Sequence, residues 1–560
     1  MHKNGQKDLA GLLWKNPVLR MQMRRRLRPR ACIIWGLVTI IPCLFIFLNV
    51  YNSIQAFDEV NEGSRILAFK ATFVPMLVVQ GIILMFLGTG SVAGGIAEEK
   101  ESGLLDYERL TPMSPAAKIL GYLFGLPSRE YLLCILTLPF TLISVIWGNI
   151  SFLKVALLYT IFICAVLTYH LTAMVAGMLA RRPRRASWFA RILVVLLYVF
   201  LPNLSQMGLT VFGHLTILPT FWGLLQGELG QGMDFSPMLR IWETVPFFSW
   251  ELPPALFTLL LMGFLMVVFV FILLRKWHQD TNHSMTKWFS IGVFAVLQVL
   301  MVGSLLPHVR GNLGMGIFIE QISVFEKDRI AAILFIYLVL SLAATILLIH
   351  LVTPLLHTHV KGLRRVAKLG LPGIPFNWDA STSLPCAMAF IVMTIAGYAS
   401  LLAAGGQAGG LENTMQGFVL PTIVFAALVF YIQATRTLWP TAGFFGFLAL
   451  FWLVPQVTGL TLSAFTGESE PTMYLGLCSP IQAFFNVIAL PLDVMKPYGS
   501  DEHSKTLPML AGLSITLHGT LAVIFVLRAS SKRRLLRELE TRGMSALTAS
   551  SDNQGLDTDD

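Results

Sequence analysis

The densest cluster of charge in the first half of the chain lies between residues 96 and 114, directly after a long apolar run. Three carboxylates, those of Glu98, Glu99 and Glu101, surround the ammonium group of Lys100. Such groups form ion pairs and charged hydrogen bonds with a basic partner or with each other. We call residues 96–114 the charged segment, and we predict that it lies in water and binds another molecule.

The second part of the charged segment has the pattern of a short docking helix. Gly103 allows the backbone to turn where the chain leaves the preceding apolar run. If residues 104–111 are helical, three apolar side chains share one arc of that helix: Leu104, Tyr107 and Leu110. Pro112 then ends the helix. A short helix with an apolar ridge and charged flanks is the form that binds in the groove of a partner protein.

Capping residues predict two further helices. Asn16 can cap a helix that has Pro17 at its first position. Ser114 and Pro115 have the same roles for a helix that runs through Leu126, and Pro127 breaks that helix.

Sequence motifs of self-contained enzymes are absent. The chain has no GxxxxGK[ST] pattern to hold the phosphates of ATP, and neither HExxH nor GxSxG occurs. None of the six cysteines forms a CxxC pair, which argues against a zinc site or a disulfide framework. We therefore predict no catalytic residue, no metal ion and no cofactor.

The composition places the chain among membrane proteins. It is 55% hydrophobic and only 13% charged, whereas soluble domains carry about 25% charged residues. A membrane-spanning helix needs about 20 apolar residues. Twelve runs fit: 31–50, 71–95, 131–148, 153–179, 192–212, 254–274, 288–306, 330–353, 385–404, 417–434, 441–459 and 508–527. The predicted fold class is an all-α, polytopic integral membrane protein.

The basic residues predict the orientation of these spans. With the N-terminus inside, 32 of the 41 lysines and arginines fall in inside segments and nine fall outside. This bias is typical of cytosolic loops. It predicts a multi-pass protein of the cell inner (plasma) membrane with both termini cytosolic. The net charge of +10 then reflects this bias and attraction to anionic membrane lipids, and nucleic acid is not expected as a partner.

The order of loops suggests two six-span halves. Each half has a long outside segment before its last span, at 213–253 and at 460–507. Each segment carries a proline-aromatic cluster, which is Val245–Phe248 in the first and Ser479–Phe485 in the second. Chance similarity of two hydropathy profiles is the alternative. The predicted domains are a basic N-terminal segment with a possible interfacial helix (1–30), the halves (31–287 and 288–528) and a cytosolic tail (529–560).

The charged segment also resembles a known family. Its ordered residues are Glu99, Lys100, Gly103, Leu105, Asp106, Leu110, Pro112 and Ser114. This spacing resembles the cytosolic segment after the second span of ABC type-2 permeases, the membrane subunits of ABC transporters. The Asn16–Leu19 start and Ser-Pro-x-x-Ala at Ser479–Ala483 resemble that family in part. The residue resemblance is best in the first half, because the matching second-half loop, Lys361–Lys368, is basic and lacks the pattern.

The resemblance implies that the charged segment binds a separate ABC ATP-binding subunit. The coupling residues that it implies are Glu98, Glu99, Lys100, Gly103, Leu105, Tyr107 and Pro112. The chain would be a transport subunit and not an enzyme, namely the permease of an exporter whose substrate the sequence does not specify. ATP hydrolysis by the partner would drive substrate movement across the membrane.

Two alternatives stay open. The first is a membrane-embedded enzyme or assembly factor without an ATPase, for which the candidate carboxylates in the outside segments show no acid–base pair: Glu228, Asp234, Glu243 and Glu251. The second is a secondary transporter, although its usual buried charges are not evident in the spans. His170 in the fourth span is interpreted as a satisfied core histidine, and Arg129 with Glu130 as a self-paired couple.

Overall fold

The chain folds into helices that divide into two units, Met1–Thr281 and Asn282–Asp560. The structure is a computed structural model. It describes residues 15–57, 62–180, 182–205, 208–229, 244–278, 283–311, 326–409, 414–467, 470–492 and 501–554.

In the first unit, the described residues start with a short helix and continue through six apolar helices. Its elements are α1 (Pro17–Arg26), α2 (Pro29–Phe57), α3 (Glu62–Gly81), a π-helix (Ile82–Gly88), α4 (Thr89–Glu101), α5 (Leu104–Leu110), α6 (Pro115–Gly125), α7 (Ser128–Trp147), α8 (Phe152–Leu179), α9 (Pro183–Ser205), α10 (Thr210–Gly213), α11 (Leu218–Leu229), β1 (Val245–Phe247), β2 (Trp250–Leu252) and α12 (Pro254–His278). The second span is therefore one continuous helical rod, formed by α3, the π-helix and α4.

The second unit contains the other helices of the described residues. Its elements are α13 (Lys287–Val309), α14 (Glu326–Val352), α15 (Leu356–Lys368), α16 (Leu384–Gly409), α17 (Thr414–Leu438), α18 (Thr441–Leu448), a π-helix (Ala449–Leu453), α19 (Val454–Thr466), α20 (Glu470–Leu475), a 3₁₀ turn (Gly476–Cys478), α21 (Pro480–Leu492) and α22 (Asp501–Gln554).

The predicted fold class is confirmed. Among the described residues, twelve helices are long and apolar enough to cross a membrane, six in each unit, and each overlaps one of the twelve predicted runs. The chain is a multi-pass membrane protein. In the second unit, two further apolar helical segments, Pro471–Cys478 and Pro480–Pro491, follow each other with a bend of 115° between them. This bend lies at the start of the predicted proline-aromatic cluster, Ser479–Phe485.

Two details differ from the sequence prediction. The fifth span was expected at 192–212, but α9 begins at Pro183 and ends at Ser205. The basic stretch before residue 192 thus forms the first turns of the helix, because Pro183 suits a helix start. The cluster at Val245–Phe248 forms an antiparallel hairpin, in which Val245 pairs with Leu252 and Phe248 turns the chain with φ +56°.

The end of the first unit that holds the charged segment has its own apolar core. Side chains from α4, α5, α6, α8 and α12 meet there, and fully buried members include Ile96, Tyr122, Met174, Leu273 and Trp277. This core holds the short helix α5 against the ends of the longer helices. The charged segment is consequently part of a packed structure and not a loose connector.

Candidate functional site

The charged segment starts as the last turns of the second span. Helix α4 ends at Glu101, Ser102 caps it, and Gly103 has φ +73°, as the predicted turn requires. A Cβ added at Gly103 would meet no atom within 4 Å. The glycine is therefore required by backbone conformation alone, since other residues pay about 1–2 kcal/mol to adopt the left-handed region.

Glu99 is buried beneath the N-terminal helix. Only 2% of its surface is exposed, and its carboxylate accepts hydrogen bonds from Gln22 Nε2 and Arg25 Nη1, each at 3.0 Å. The other guanidinium nitrogen of Arg25 pairs with the exposed Glu98 at 2.6 Å. The sequence placed Glu99 on the surface that faces the ATPase. That expectation is corrected, because Glu99 fastens α1 to α4 inside the unit.

Helix α1 packs closely against α6, and this packing holds Gln22 and Arg25 near Glu99. Asn16 caps α1 as predicted, and its side-chain amide also donates to the Ala117 carbonyl at 2.6 Å. A Cβ at Gly121 would lie 2.8 Å from Val18, and one at Gly125 would lie 2.8 Å from Gln22. The predicted interfacial helix is thus packed on protein along one side. The two glycines, four residues apart on α6, were the overlooked signal for this packing.

Two basic side chains of the charged segment bind the ends of other spans. Lys100 Nζ donates to the carbonyl of Met178, near the end of α8. Arg109 Nη2 donates at 3.2 Å to the carbonyl of Lys276, near the end of α12. The last carbonyls of a helix lack partners within the helix and lie at the negative end of its dipole. Lys100 and Arg109 therefore tie the charged segment to the fourth and sixth spans.

Helix α5 has a buried side and an exposed side. Leu105 is 2% exposed and Glu108 is 7% exposed, whereas Tyr107 is 67% and Leu110 is 84% exposed. The predicted apolar ridge is confirmed at Tyr107 and Leu110. Leu105 is corrected from a partner-facing residue to a core residue, because the predicted coupling pattern did not distinguish the two sides of α5.

Glu108 lies in a small polar network at the base of α5. Tyr122 donates to its carboxylate at 2.6 Å, and Lys118 Nζ donates to its main-chain carbonyl. Burial raises the pKa of the Glu108 carboxyl, although Tyr122 and Lys118 act to lower it. Burial also lowers the pKa of Lys118. The ring of Tyr122 lies 5.5 Å from that of Trp277, so this network adjoins α12 as well.

The chain leaves α5 as the sequence predicted. Pro112 is exposed and follows the end of α5 at Leu110. Ser114 caps α6 by accepting a hydrogen bond from the Ala117 amide, and Pro115 is the first helical residue. α7 begins at Ser128, directly after Pro127. Seven coupling residues were predicted. Four are exposed, one is half-buried and two are buried: Glu98, Gly103, Tyr107 and Pro112 are exposed, Lys100 is half-buried, and Glu99 and Leu105 are buried.

The other candidate residues lie elsewhere in the first unit. His170 is fully buried, and its ring nitrogens contact Tyr131 Oη and the Leu84 carbonyl at 3.1 Å each, which confirms the core interpretation. Arg129 pairs with Glu130 at 2.8 Å, also as predicted.

The carboxylates considered for an enzyme do not form a cluster among the described residues. Glu228 pairs with Lys154 at 2.9 Å and accepts the Ser151 amide at 2.8 Å. Partial burial acts to raise the pKa of Glu228, but these donors hold it below its ordinary value. Glu251 is exposed. Asp234 and Glu243 lie outside the described residues. Within the described ranges, no group of three His, Cys, Asp or Glu side chains could hold a metal ion.

The second-half segment Lys361–Lys368 is built differently. It lies within α15, whose His359 ring contacts the Ala380 carbonyl at 2.9 Å and whose Gly362 packs against the Ala380 side chain. Its exposed face is basic, with Lys361 and Lys368 in water. It therefore presents a surface of different chemistry from that of α5.

These features define a multi-pass membrane protein with a structured segment between its second and third spans. Comparisons with family models, with curated proteins and with solved structures gave no match.

Proposed function

We propose that this chain is the permease subunit of an ABC-type exporter and that a separate ATP-binding subunit binds α5. The observation that carries the proposal is the two-sided construction of α5. Tyr107 and Leu110 are exposed side by side, one helical turn apart, while the opposite side is fixed to the unit by Leu105 and Glu108. An exposed apolar pair on a short, well-anchored helix suits insertion into a partner's groove.

The anchors give a route for mechanical coupling. Through Glu99, Lys100 and Arg109, the charged segment contacts α1 and the ends of the fourth and sixth spans. A partner that binds α5 differently in its ATP-bound and ATP-free states biases two arrangements of these helices. The chain itself then needs no nucleotide site, in keeping with the lack of a GxxxxGK[ST] sequence.

The distribution of basic residues supports the proposed location in the inner membrane and the proposed orientation of the chain. With 32 of 41 basic residues on one side, both termini and the charged segment are assigned to the cytosol and the protein to the inner (plasma) membrane. Cytosolic α5 is on the side of the membrane where ATP is available.

One chain is proposed to supply both halves of the membrane unit, since each unit contains six apolar helices. Because α15 exposes a basic face and no apolar ridge, the second half is not proposed to bind the ATPase in the way that α5 does. The mass of the purified complex tests this part: one copy of the chain per pair of ATP-binding subunits is expected, and two copies would contradict it.

The function is tested by affinity purification of the full chain from its native membranes, with mass spectrometry of bound proteins and measurement of ATPase activity. Leu110→Asp should weaken binding of a P-loop ATPase about tenfold or more, because burying a leucine stabilises by about 1.5–3 kcal/mol. Leu369→Asp is the matched control, since Leu369 is an exposed leucine at the end of α15.

The two outcomes separate the proposal from its alternatives. Selective loss of the ATPase from Leu110→Asp, with normal yield of folded chain, supports coupling through α5. Transport or enzymatic activity by the wild-type chain with no P-loop protein bound would contradict the ABC assignment and favour an enzyme or a secondary transporter.

A further inference from the structure

Four arginines converge on a cavity of about 310 Å³ beside the charged segment. They come from the end of α1, the start of α7 and the first turns of α9. We call this cavity the arginine pocket, and its main polar lining residues are Arg26, Arg129, Arg184, Arg191, Ser91 and Ser187.

The arginine pocket has an excess of positive charge. Its lining carboxylate, Glu98, is paired with Arg25, and Arg129 is paired with Glu130. Among the described residues, Arg26, Arg184 and Arg191 have no ion-pair partner. The buried Nε groups of Arg129 and Arg191 also lack an acceptor there. Guanidinium groups bind phosphate oxygens through paired hydrogen bonds, so an anion with several oxygens fits this lining.

Close packing of α4 and α9 places Arg191 in this position. A Cβ at Gly90 would lie 2.3 Å from Arg191 Nε, and one at Gly94 would lie 3.1 Å from the Ser187 side chain. Only glycine leaves room for the arginine to cross the face of α4. The guanidinium also lies over the rings of Phe86, at 5.9 Å, and Trp188, at 5.6 Å.

An apolar groove continues from the arginine pocket along the same helix. This cavity of about 590 Å³ lies between α9, the second span and α11, and it is lined by Val195, Tyr198, Val199 and Phe86 among other apolar residues. Arg184 and Arg191 are seven residues apart, and Val195, Tyr198 and Val199 follow Arg191 by four, seven and eight. These residues share one face of α9. The Arg191 guanidinium also lies over the ring of Phe86, which lines the groove, so the charged and apolar linings adjoin.

We propose that the arginine pocket binds the phosphate group of an anionic phospholipid, with an acyl chain lying in the apolar groove. Free phosphate would use the arginines but not the groove, and the adjoining apolar lining is what favours a lipid. The exposed Trp188 and Trp35, the latter under Arg129 at 5.0 Å, fit the level of the membrane interface. Basic pockets between membrane helices bind lipid headgroups in this way. This proposal does not depend on an ATPase partner.

The test measures thermal unfolding of the full chain in neutral detergent by tryptophan fluorescence. Phosphatidylglycerol, phosphatidylcholine and inorganic phosphate are each titrated into the wild type and into Arg184→Gln and Arg191→Gln. Arg185→Gln is the matched control, because Arg185 is exposed on the same helical turn as Arg184 but does not line the pocket. Arg184 is also exposed, which keeps Arg184→Gln informative if Arg191→Gln folds poorly.

Phosphatidylglycerol should raise the unfolding temperature of the wild type and of Arg185→Gln, and phosphatidylcholine should not. Each pocket variant should need about tenfold or more phosphatidylglycerol for the same shift, because a hydrogen bond to a charged group is lost. An equal response of Arg184→Gln and Arg185→Gln would overturn the site. Stabilisation by inorganic phosphate as strong as that by phosphatidylglycerol would overturn the lipid as its occupant.

Discussion

The side-chain amide of Gln22 donates a hydrogen bond of 3.0 Å to the carboxylate of Glu99, 77 residues further along the chain. This contact joins the N-terminal helix to the end of the second span. The guanidinium of Arg25 neutralises the same carboxylate, which is almost fully buried. Glu99 thus holds the N-terminal helix α1 in place inside the first unit.

Reversing the charge of Glu99 should therefore destabilise the protein even without a partner. Glu99→Lys would place an ammonium group against Arg25 and leave a buried charge unpaired, and breaking a buried pair typically costs about 3–5 kcal/mol. We expect a lower unfolding temperature and faster trypsin cleavage at the arginines that end α1. Glu98→Lys is the control, since Glu98 is half exposed. Equal stability of both variants would show that the Glu99 contact is dispensable.

Substitutions at Gly103 should act through the backbone alone. Its φ of +73° and the open space around it predict that Gly103→Val costs about 1–2 kcal/mol, whereas Gly103→Asn costs less, because asparagine tolerates the left-handed region. Chemical denaturation of the purified chain measures both. If the two variants are equally stable, the turn does not need a left-handed residue.

Glu108 should make stability depend on pH. Because burial raises its pKa in the folded protein, the neutral carboxyl is favoured there. The neutral Glu108 carboxyl therefore contributes fully to the free energy of unfolding below its ordinary pKa of 4.5. This contribution is lost as the pH rises through the raised pKa of the folded state. Glu108→Gln should remove this dependence from a pH series of unfolding temperatures. Asp106→Asn, an exposed change on the same helix, should retain it. Identical pH profiles for wild type and Glu108→Gln would refute this role.

The orientation predicts which positions an impermeant thiol reagent reaches. In a chain without its six native cysteines, Glu251→Cys and Thr466→Cys should be labelled in intact cells. Ser102→Cys should be labelled only after the cells are opened. All three positions are exposed in the structure. Labelling of Ser102→Cys in intact cells would invert the assignment.

Local signals predicted much of this fold. Long apolar runs gave all twelve candidate spans, and capping residues such as Asn16 and Ser114 gave the correct helix starts. The start of α9 was missed because arginines such as Arg184 interrupt the hydropathy that marks a span. Spacing on α5 predicted the exposed ridge of Tyr107 and Leu110.

The contacts of the candidate site were less accessible from sequence. Burial of Glu99 depends on Gln22, and the anchoring of Arg109 depends on a carbonyl at Lys276, 167 residues away. Such pairings are set by how the helices pack, and no local pattern records them. Residue types alone therefore identified the charged segment but not which of its sides is buried.

The most direct test of the central claim, that α5 contacts an ATP-binding subunit, is site-specific photo-crosslinking from position 107. A benzoylphenylalanine in place of the exposed Tyr107 preserves its aromatic shape, and the same residue in place of Leu369 is the control. Irradiation of native membranes should give a cross-linked product from position 107 that contains a P-loop ATPase, and none from position 369. Contact between α5 and an ATP-binding subunit is contradicted if position 107 yields no ATPase product while the chain is folded and active.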